Sequence, residues 1–258
     1  MEGSAAPAGD EYAEWCPRAA LRRFVRCTWK AGPADPDAEP VLPDGCMDVI
    51  WNGVRLFVAG PDTGPVSDDH GGEFAVGLRF RPGMAPLFLG ARADELRGAR
   101  VELDELWPEA PAVAERLAET SSDEAAREIL ENAVVARVAT EPEPDPVVES
   151  AAQAWRVDPA SATTASLAMA AGISDRQLHR RFVAAVGYGP KYLQRVLRFQ
   201  AFLALCSRPD LGLADLAHRC GYADQAHLTR ETARLAGRTP AVLRAARRAG
   251  VRNVQDGT

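Results

Sequence analysis

The chain has few histidines and no long apolar run. Four of its 258 residues are histidine, and only His70 lies before residue 150. A metal-dependent cupin enzyme needs several histidine and carboxylate ligands, so we expect no metal and no cofactor. No apolar stretch reaches the roughly 18 residues of a membrane-spanning helix. The first ten residues lack the basic start and apolar core of a signal peptide, so the sequence predicts a cytoplasmic protein.

Paired cysteines are also absent. The five cysteines, none of them in a CxxC pair, are Cys16, Cys27, Cys46, Cys206 and Cys220. An odd number without metal-ligand spacing predicts neither a zinc site nor a disulfide framework. Oxidant sensing by the three N-terminal thiols stays open as an alternative.

Catalytic motifs are missing as well, since the chain has no P-loop, Rossmann fingerprint or GxSxG. Asp44, Cys46 and Asp48 place a thiol beside two carboxylates in sequence, but no nearby histidine supplies a base. Alternate residues of a strand share a face, so Cys46 and Asp48 are expected to line a barrel or a pocket. We therefore expect no catalytic residue.

The chain does contain a motif that occurs twice near its C-terminus. The repeated positions are Leu167, Ala168, Gly172, Leu178, Arg180, Gly187 and Pro190, which recur as Leu216, Ala217, Gly221, Leu228, Arg230, Gly237 and Pro240. Each copy contains a short apolar helix, a glycine turn, an amphipathic helix with arginine and a Gly-x-x-Pro stop. This pattern predicts two helix-turn-helix units, whose second helices can enter the DNA major groove.

The second helix of each copy separates apolar from polar residues. In the first copy Leu178, Phe182 and Val186 form a predicted buried stripe, because they recur every four residues. In the second copy Leu228 and Leu235 are expected to face inward. Asp175 and Asp224 are predicted to cap the two helices, since a carboxylate accepts unpaired N–H groups at a helix start.

Charge is divided unequally along the chain. Residues 1–150 hold 14 Lys+Arg and 29 Asp+Glu, a net charge of −15, whereas residues 151–258 hold 16 and 7, a net charge of +9. A basic module attracts the phosphate backbone of nucleic acids. The C-terminal part is therefore the expected DNA-binding part.

The stretches LADLAHRCGYADQAHLTR and AGRTP in the second copy, and SLAMAAGISDRQLHRRF in the first, resemble the AraC/XylS family of bacterial transcription regulators. The resemblance covers roughly residues 150–248. It implies that a connector helix, here Pro190–Cys206, holds both recognition helices on one DNA face. Thr232 and Ala236 depart from the aromatic residues typical of the family, which predicts either that the second unit packs less tightly than the first or that another side chain fills the gap.

The resemblance also implies which residues contact DNA. Base-reading or nearby positions are Arg176, His179 and Arg180 in the first recognition helix and Gln225, Ala226, Thr229 and Arg230 in the second. Phosphate anchors are expected at Lys191, Arg234 and Arg238, which lie near helix ends.

The part before residue 150 is predicted to be mixed. Asn52-Gly53 predicts a hairpin with a two-residue turn, Glu73–Phe80 a third strand, and 81–83 a turn. Pro111–Glu119 and Asp123–Val138 are predicted helices. The stretches LPDGCMDVIW, LFVAGPDTG and VGLRFRPGMAPLFLG resemble the N-terminal domain of a group of AraC-type regulators, which implies an effector-sensing module related to a cupin-like β-barrel.

Together these features predict an α+β protein with a small antiparallel sheet or cupin-like barrel plus helices, followed by an all-α domain. The expected divisions are a regulatory domain at 1–140, a linker at 141–147, a DNA-binding domain at 148–250 and a tail at 251–258. The predicted function is a sequence-specific DNA-binding transcription regulator.

The resemblance implies four partners: double-stranded promoter DNA, a small-molecule effector in a pocket not identified from the sequence, a second copy of the chain and RNA polymerase. Three alternative functions remain: an enzyme or a redox sensor with an appended DNA-binding domain, and a non-specific architectural DNA binder.

Overall fold

The structure is a computed structural model that describes residues 12–33, 40–67, 70–137 and 143–248. It contains one large hydrophobic core formed by residues up to 135 and a second formed almost entirely by residues after 146. The predicted tail 251–258 and residues 141 and 142 of the predicted linker lie outside the described residues. The domain boundaries therefore stay a prediction.

The first core lies against a sheet of six strands. These are β1 (Ala13–Trp15), β2 (Val25–Ala31), β3 (Met47–Trp51), β4 (Leu56–Ala59), β5 (Ala75–Phe80) and β6 (Arg100–Glu102). Their order is β1-β2-β5-β3-β4-β6, and all neighbours pair antiparallel. The predicted antiparallel sheet is confirmed. Among the described strands β1 and β6 are its two edges, so closure into a cupin-like barrel stays a prediction.

The predicted hairpin is present, but its centre lies one residue further along than expected. The N–H of Asn52 donates to the carbonyl of Arg55 over 3.2 Å, so the central residues are Gly53 and Val54. The side-chain oxygen of Asn52 accepts the N–H groups of Val54 and Arg55 at 3.0 and 2.7 Å. Asn52 therefore precedes the turn and holds it through its side chain, while Gly53 takes a φ of +89°.

The two faces of the sheet bury different side chains, because successive residues of a strand alternate. Val49 and Trp51 of β3 point into the first core, whereas Asp48 and Ile50 lie on the opposite face near Phe57. Three helices contribute to the first core: α1 (Ala85–Leu89), α2 (Ala110–Ala118) and α3 (Asp123–Arg137). The opposite face lines a cavity.

The other predicted elements of this half are confirmed with shifted ends. The third strand begins at Ala75 instead of Glu73, and Met84 closes the predicted turn by donating to the carbonyl of Arg81 over 3.0 Å. The two predicted helices correspond to α2 and α3, and Val138 lies outside the described residues.

The second half is all helical. Its helices are α4 (Pro146–Val157), α5 (Thr164–Ala170), α6 (Asp175–Val186), α7 (Pro190–Leu205), α8 (Leu213–Arg219), α9 (Gln225–Ala236) and α10 (Pro240–Arg248). The predicted connector is α7, with Pro190 at its first turn and Phe199 and Phe202 fully buried. No helix in the described ranges is both long and apolar enough to cross a bilayer.

The two halves are in contact, and α7 forms much of that contact. Leu42, from the loop before β3, belongs to the second core. The side chain of Gln200 donates to the carbonyl of Pro43 over 2.8 Å, and the hydroxyl of Tyr192 donates to the carbonyl of Thr63. Loops of the first half therefore rest on the helix that joins the two helix-turn-helix units.

Candidate nucleic-acid interface

The first helix-turn-helix unit consists of α5 and α6. Ser174 is the N-cap of α6: its hydroxyl accepts the N–H of Gln177 over 3.3 Å, and the Gln177 side chain accepts the N–H of Ser174 over 2.9 Å. This reciprocal pair is a capping box. The predicted capping role of Asp175 is therefore wrong, because Asp175 is already the first helical residue and Ser174 satisfies the unpaired donor.

In the second unit, formed by α8 and α9, the predicted cap is confirmed. Asp224 precedes α9 and accepts the N–H of His227 over 2.6 Å. His227 in turn accepts the N–H of Ala223 over 3.2 Å and packs edge-on against Tyr222 at 5.3 Å. The sequence reading did not identify His227, although its place three residues after the cap is where a reciprocal partner would be sought.

Both predicted buried stripes are confirmed. Leu178, Phe182 and Val186 are at most 1% exposed, as are Leu228 and Leu235. Burial of these apolar faces turns the polar sides of α6 and α9 outward.

The residues predicted to read bases lie on those outward sides. Arg176, His179, Arg180, Gln225, Ala226 and Arg230 are exposed, and Thr229 is half-buried. The hydroxyl of Thr229 donates to the carbonyl of Gln225 over 2.9 Å, so its methyl group and oxygen lone pairs remain for a ligand. Their contacts with DNA stay a prediction.

His179 differs from its neighbours because it contacts the connector. A Cβ at Gly189 would lie only 2.5 Å from Nδ1 of His179, so the imidazole lies directly against the glycine that caps α7. Residue 189 must therefore be very small for this contact. The side chain of His179 links α6 to the start of α7 as well as facing solvent.

The predicted phosphate anchors differ in their surroundings. Lys191 is exposed at the start of α7, and Arg238 is half-buried after α9. Arg234 is exposed but forms an ion pair of 3.2 Å with Glu231.

Glu231 is an important residue that sequence reasoning missed. Its side chain is 7% exposed and pairs with both Arg234 and Arg195 of α7. Arg195 also lies over the ring of Tyr192 at 5.2 Å. The recognition helix α9 is thus joined to the connector by a buried carboxylate, and the only sequence signal is an acidic residue in a basic domain.

The connector also holds the first unit. Gln194, which is 9% exposed, donates to the carbonyls of Pro159 and Ala162 at 3.1 and 2.9 Å, and Trp155 donates to Ala162 over 3.0 Å. These bonds fix the loop that leads into α5. Polar side chains of the connector therefore contact both units, in addition to its buried apolar side chains.

The departure at Thr232 is visible in the core of the second unit. Thr232 is 0% exposed and Ala236 is 3% exposed, so both face inward. The hydroxyl of Thr232 has no hydrogen-bond partner among the described residues. A looser packing of this unit stays a prediction.

Two of the three thiols in the first half, Cys27 and Cys46, are buried, whereas Cys16 is exposed. Burial raises the pKa of Cys27 to about 12 and that of Cys46 well above its usual value. A thiol must lose its proton to react as a nucleophile, so these two are poorly suited to oxidant sensing. Within the described ranges no three histidine, cysteine or acidic residues are grouped to hold a metal.

Comparison with known proteins gives two matches at the level of families. Residues 167–246 match a family described as a helix-turn-helix domain, and residues 13–102 match a domain of unknown function (DUF6597). A protein of Streptomyces antibioticus, provisionally named an AraC-like transcription regulator, is 40% identical over 98 residues. The chain is therefore similar to AraC-like transcription regulators over part of its length, and residues 167–246 match the helix-turn-helix family.

The chain shares only part of its length with that relative, since the match covers 37% of this chain and 32% of the relative. Two solved structures are also similar. The DNA-binding domain of AdpA, solved with a target DNA, is 30% identical, with 41% of this chain and 96% of that chain covered and a TM-score of 0.38. ToxT from Vibrio cholerae is 11% identical, with 90% and 97% covered and a TM-score of 0.43.

Proposed function

We propose that the protein is a sequence-specific DNA-binding transcription regulator controlled through its N-terminal half. The observation that carries this proposal is the pair of helix-turn-helix units, each with a capped second helix whose polar side is exposed. The net charge of +9 over residues 151–258 supports it, because a basic surface attracts the phosphate backbone. The family of the C-terminal domain supports it as well.

In this proposal α6 and α9 read base edges in successive major-groove segments. Arginine suits guanine, glutamine suits adenine, and the methyl groups of alanine or threonine suit the thymine methyl. The reading residues are Arg176, His179, Arg180, Gln225, Ala226, Thr229 and Arg230, and the phosphate anchors are Lys191, Arg234 and Arg238.

A test begins with selection of duplexes from a randomised library by the full-length chain. Arg180→Ala should then weaken binding to the selected duplex by about 1 to 3 kcal/mol, roughly 5- to 150-fold, with a much smaller effect on random DNA. Affinities are measured by fluorescence anisotropy at one salt concentration. Arg116→Ala, an exposed arginine on α2, is the matched control and should leave both affinities unchanged.

Equal losses for Arg180→Ala on selected and random DNA would contradict its reading role. A ratio of specific to random affinity far below about 10³ would instead favour a non-specific architectural binder.

Lys191→Ala should behave differently from Arg180→Ala. A phosphate contact carries no sequence information, so both kinds of duplex should be weakened alike. The slope of log affinity against log salt concentration should also fall in magnitude by about one unit. A loss confined to the selected duplex would show that Lys191 reads bases instead.

Control through the first half is supported by the contacts on α7. Tyr192 of this helix donates a hydrogen bond to the carbonyl of Thr63 in the first half. Arg195 of the same helix pairs with Glu231 of α9. A movement of the first half would therefore act on the helix that orients both recognition helices. The proposal includes a small-molecule effector, a second copy of the chain and RNA polymerase as partners, promoter DNA as the target, and the cytoplasm as the location.

A further inference from the structure

A partly enclosed cavity of about 280 Å³ lies on the face of the sheet that points away from the first core. This volume is near the lower end of the range for small-molecule pockets. One wall is apolar and consists of Trp29, Ile50 and Phe57, each no more than 8% exposed. The cavity therefore has room for a small molecule and an apolar surface for its body.

The polar wall of the cavity is built around Arg79, whose side chain is 5% exposed. Its Nε lies 3.1 Å from Oδ1 of Asp48, and Trp29 donates to the same oxygen over 2.6 Å. Burial raises the pKa of Asp48, but both donors oppose this shift. Asp48 is therefore already satisfied by groups of the protein.

The charges behind this wall do not balance. Arg79 forms ion pairs with Glu14, Asp44 and Asp48, and Arg26 forms one with Asp44. Within this cluster of described residues three carboxylates thus face two guanidinium groups, an excess of one negative charge, and the pairs Arg100–Asp62 and Arg55–Glu102 leave that difference unchanged. A cationic ligand would compensate this charge, whereas an anionic ligand would add to it.

Asp44 is the carboxylate with unused hydrogen-bonding capacity. Its Oδ1 accepts the N–H of Cys46 over 2.8 Å. Its Oδ2 is buried and has no hydrogen-bond donor among the described residues, although Arg26 and Arg79 lie 3.5 and 3.8 Å away. A buried carboxylate oxygen without a donor is costly, so the carboxylate of Asp44, which lines the cavity, would be stabilised by a further positive charge beside it.

The other arginines that line the cavity already contact carboxylates. Arg100 pairs with Asp62 over 3.1 Å, and Arg55 pairs with Glu102. His70 contributes a further acceptor, because its Nε2 lies 3.0 Å from the carbonyl of Gly32 and its buried Nδ1 has no partner in the described ranges. In the neutral ring, Nδ1 accepts when Nε2 donates to Gly32. Among the described residues, Oδ2 of Asp44 and Nδ1 of His70 are thus acceptors without a donor.

We propose that this cavity binds a small molecule that carries a protonated amine on an apolar body. The ammonium group lies beside the carboxylate of Asp44, and the apolar body packs against Trp29, Ile50 and Phe57. An aromatic body suits this wall, because it can stack on the rings of Trp29 and Phe57. Such rings also interact favourably with a nearby ammonium group.

Residues next to Asp44 contact the DNA-binding half, so ligand binding at Asp44 changes that contact. This step rests on the proposed function. Gly45, next to Asp44, packs against α7: a Cβ there would lie 2.9 Å from Leu193 and 3.2 Å from the hydroxyl of Tyr188. Pro43 accepts a hydrogen bond from Gln200 of α7. A ligand that draws Asp44 inward changes the surface on which the connector rests.

The test is isothermal titration of the full-length chain with phenethylamine, tryptamine and cyclohexylamine. Each amine is compared with an alcohol and a carboxylate on the same apolar body. We expect at least one amine to bind at least tenfold more tightly than its alcohol and carboxylate analogues. We also expect the bound amine to change the affinity of the chain for its selected duplex.

Three variants locate the binding. Asp44→Asn keeps the acceptor for Cys46 but removes the charge, and should weaken amine binding at least tenfold. Ala59→Phe fills the cavity and should have the same effect without a change of charge. Asp104→Asn, an exposed carboxylate outside the cavity, is the control and should bind the amine normally. Thermal unfolding of each variant shows whether it is folded.

Failure to bind any of these amines, or binding that is as tight for the alcohols or carboxylates, would overturn the proposal. Unchanged amine affinity in folded Asp44→Asn or Ala59→Phe would do the same. Specific DNA binding without amine binding would refute this inference alone. Amine binding without any preference among DNA sequences would instead refute the proposed function and leave the ligand site intact.

Discussion

Thr232 of α9 lowers the stability of the second helix-turn-helix unit, because it buries a hydroxyl without a hydrogen-bond partner among the described residues. It lies on the inward side of α9 with 0% exposure, and its hydroxyl has no partner among the described residues. Thr229, one turn earlier, donates to the carbonyl of Gln225, which is the usual solution for a threonine in a helix. A buried hydroxyl without a partner costs about 1 to 3 kcal/mol.

Thr232→Val should therefore stabilise the protein by about 1 kcal/mol, because a methyl group of similar size replaces the unsatisfied hydroxyl. The free energy of unfolding is measured by urea denaturation. Thr229→Val is the matched control, and no gain is expected there since its hydroxyl is bonded and half-buried. A lower stability for Thr232→Val would indicate that the hydroxyl has a partner after all.

At the scale of elements, both recognition helices begin at a side chain that accepts a backbone N–H. The first uses Ser174 and the second uses Asp224, although an aspartate lies near the start of each helix. Asp175 is within the first turn and accepts no capping bond. A cap works only from the residue just before the helix, whose extended backbone directs its side chain back to the free N–H groups.

Ser174→Ala should destabilise the protein by about 1 kcal/mol, because the N–H of Gln177 loses its acceptor. Asp175→Ala should cost only a few tenths of a kcal/mol, from a weaker interaction with the helix dipole. Thermal and urea unfolding of both variants give the comparison. A larger loss for Asp175→Ala would show that the cap lies one residue later than the structure places it.

At the scale of the whole molecule, the two halves meet where Gly45 packs against α7. Gly45 has a φ of +82°, and a Cβ would lie 2.9 Å from Leu193. Gly98 has a similar φ of +67° but nothing within 4 Å of a Cβ. Both glycines have a positive φ, which favours glycine over other residues. Only at Gly45 would a Cβ also meet a side chain of the second half.

Gly98→Ala should cost about 1 to 2 kcal/mol in stability, the penalty for an L-residue in the left-handed region. Gly45→Ala should cost more, because the added methyl also displaces Leu193 or Tyr188. The difference between their free energies of unfolding measures the contact between the halves. Equal losses would mean that the halves separate easily enough to absorb the methyl group.

Much of the fold was predictable because it follows from local patterns. The apolar spacing of Leu178, Phe182 and Val186 specifies a helix face, and the Gly-x-x-Pro stops mark where α6 and α9 end. The hairpin was found for a similar reason, since Asn52 and Gly53 both favour a turn. Its centre was misplaced by one residue because the composition of a turn does not specify which residue bonds through its side chain.

The candidate site was predictable as a list of exposed residues but not as an arrangement. Burial of one helix face determines which residues remain outside, so six of the seven predicted base-reading positions on α6 and α9 are exposed and Thr229 is half-buried. The contact of His179 with Gly189 and the pairing of Glu231 with Arg195 depend on how the helices pack together. Neither has a periodic signal in the sequence.

The sequence by itself determined the repeated helix-turn-helix units, their charge and the order of sheet and helices, because helix and turn preferences act over a few residues. Only the tertiary structure decided that Leu42 joins the second core, that Gln200 donates to Pro43 and that one buried oxygen of Asp44 has no hydrogen-bond donor among the described residues. These features join residues far apart in the chain, and their positions depend on how whole layers pack.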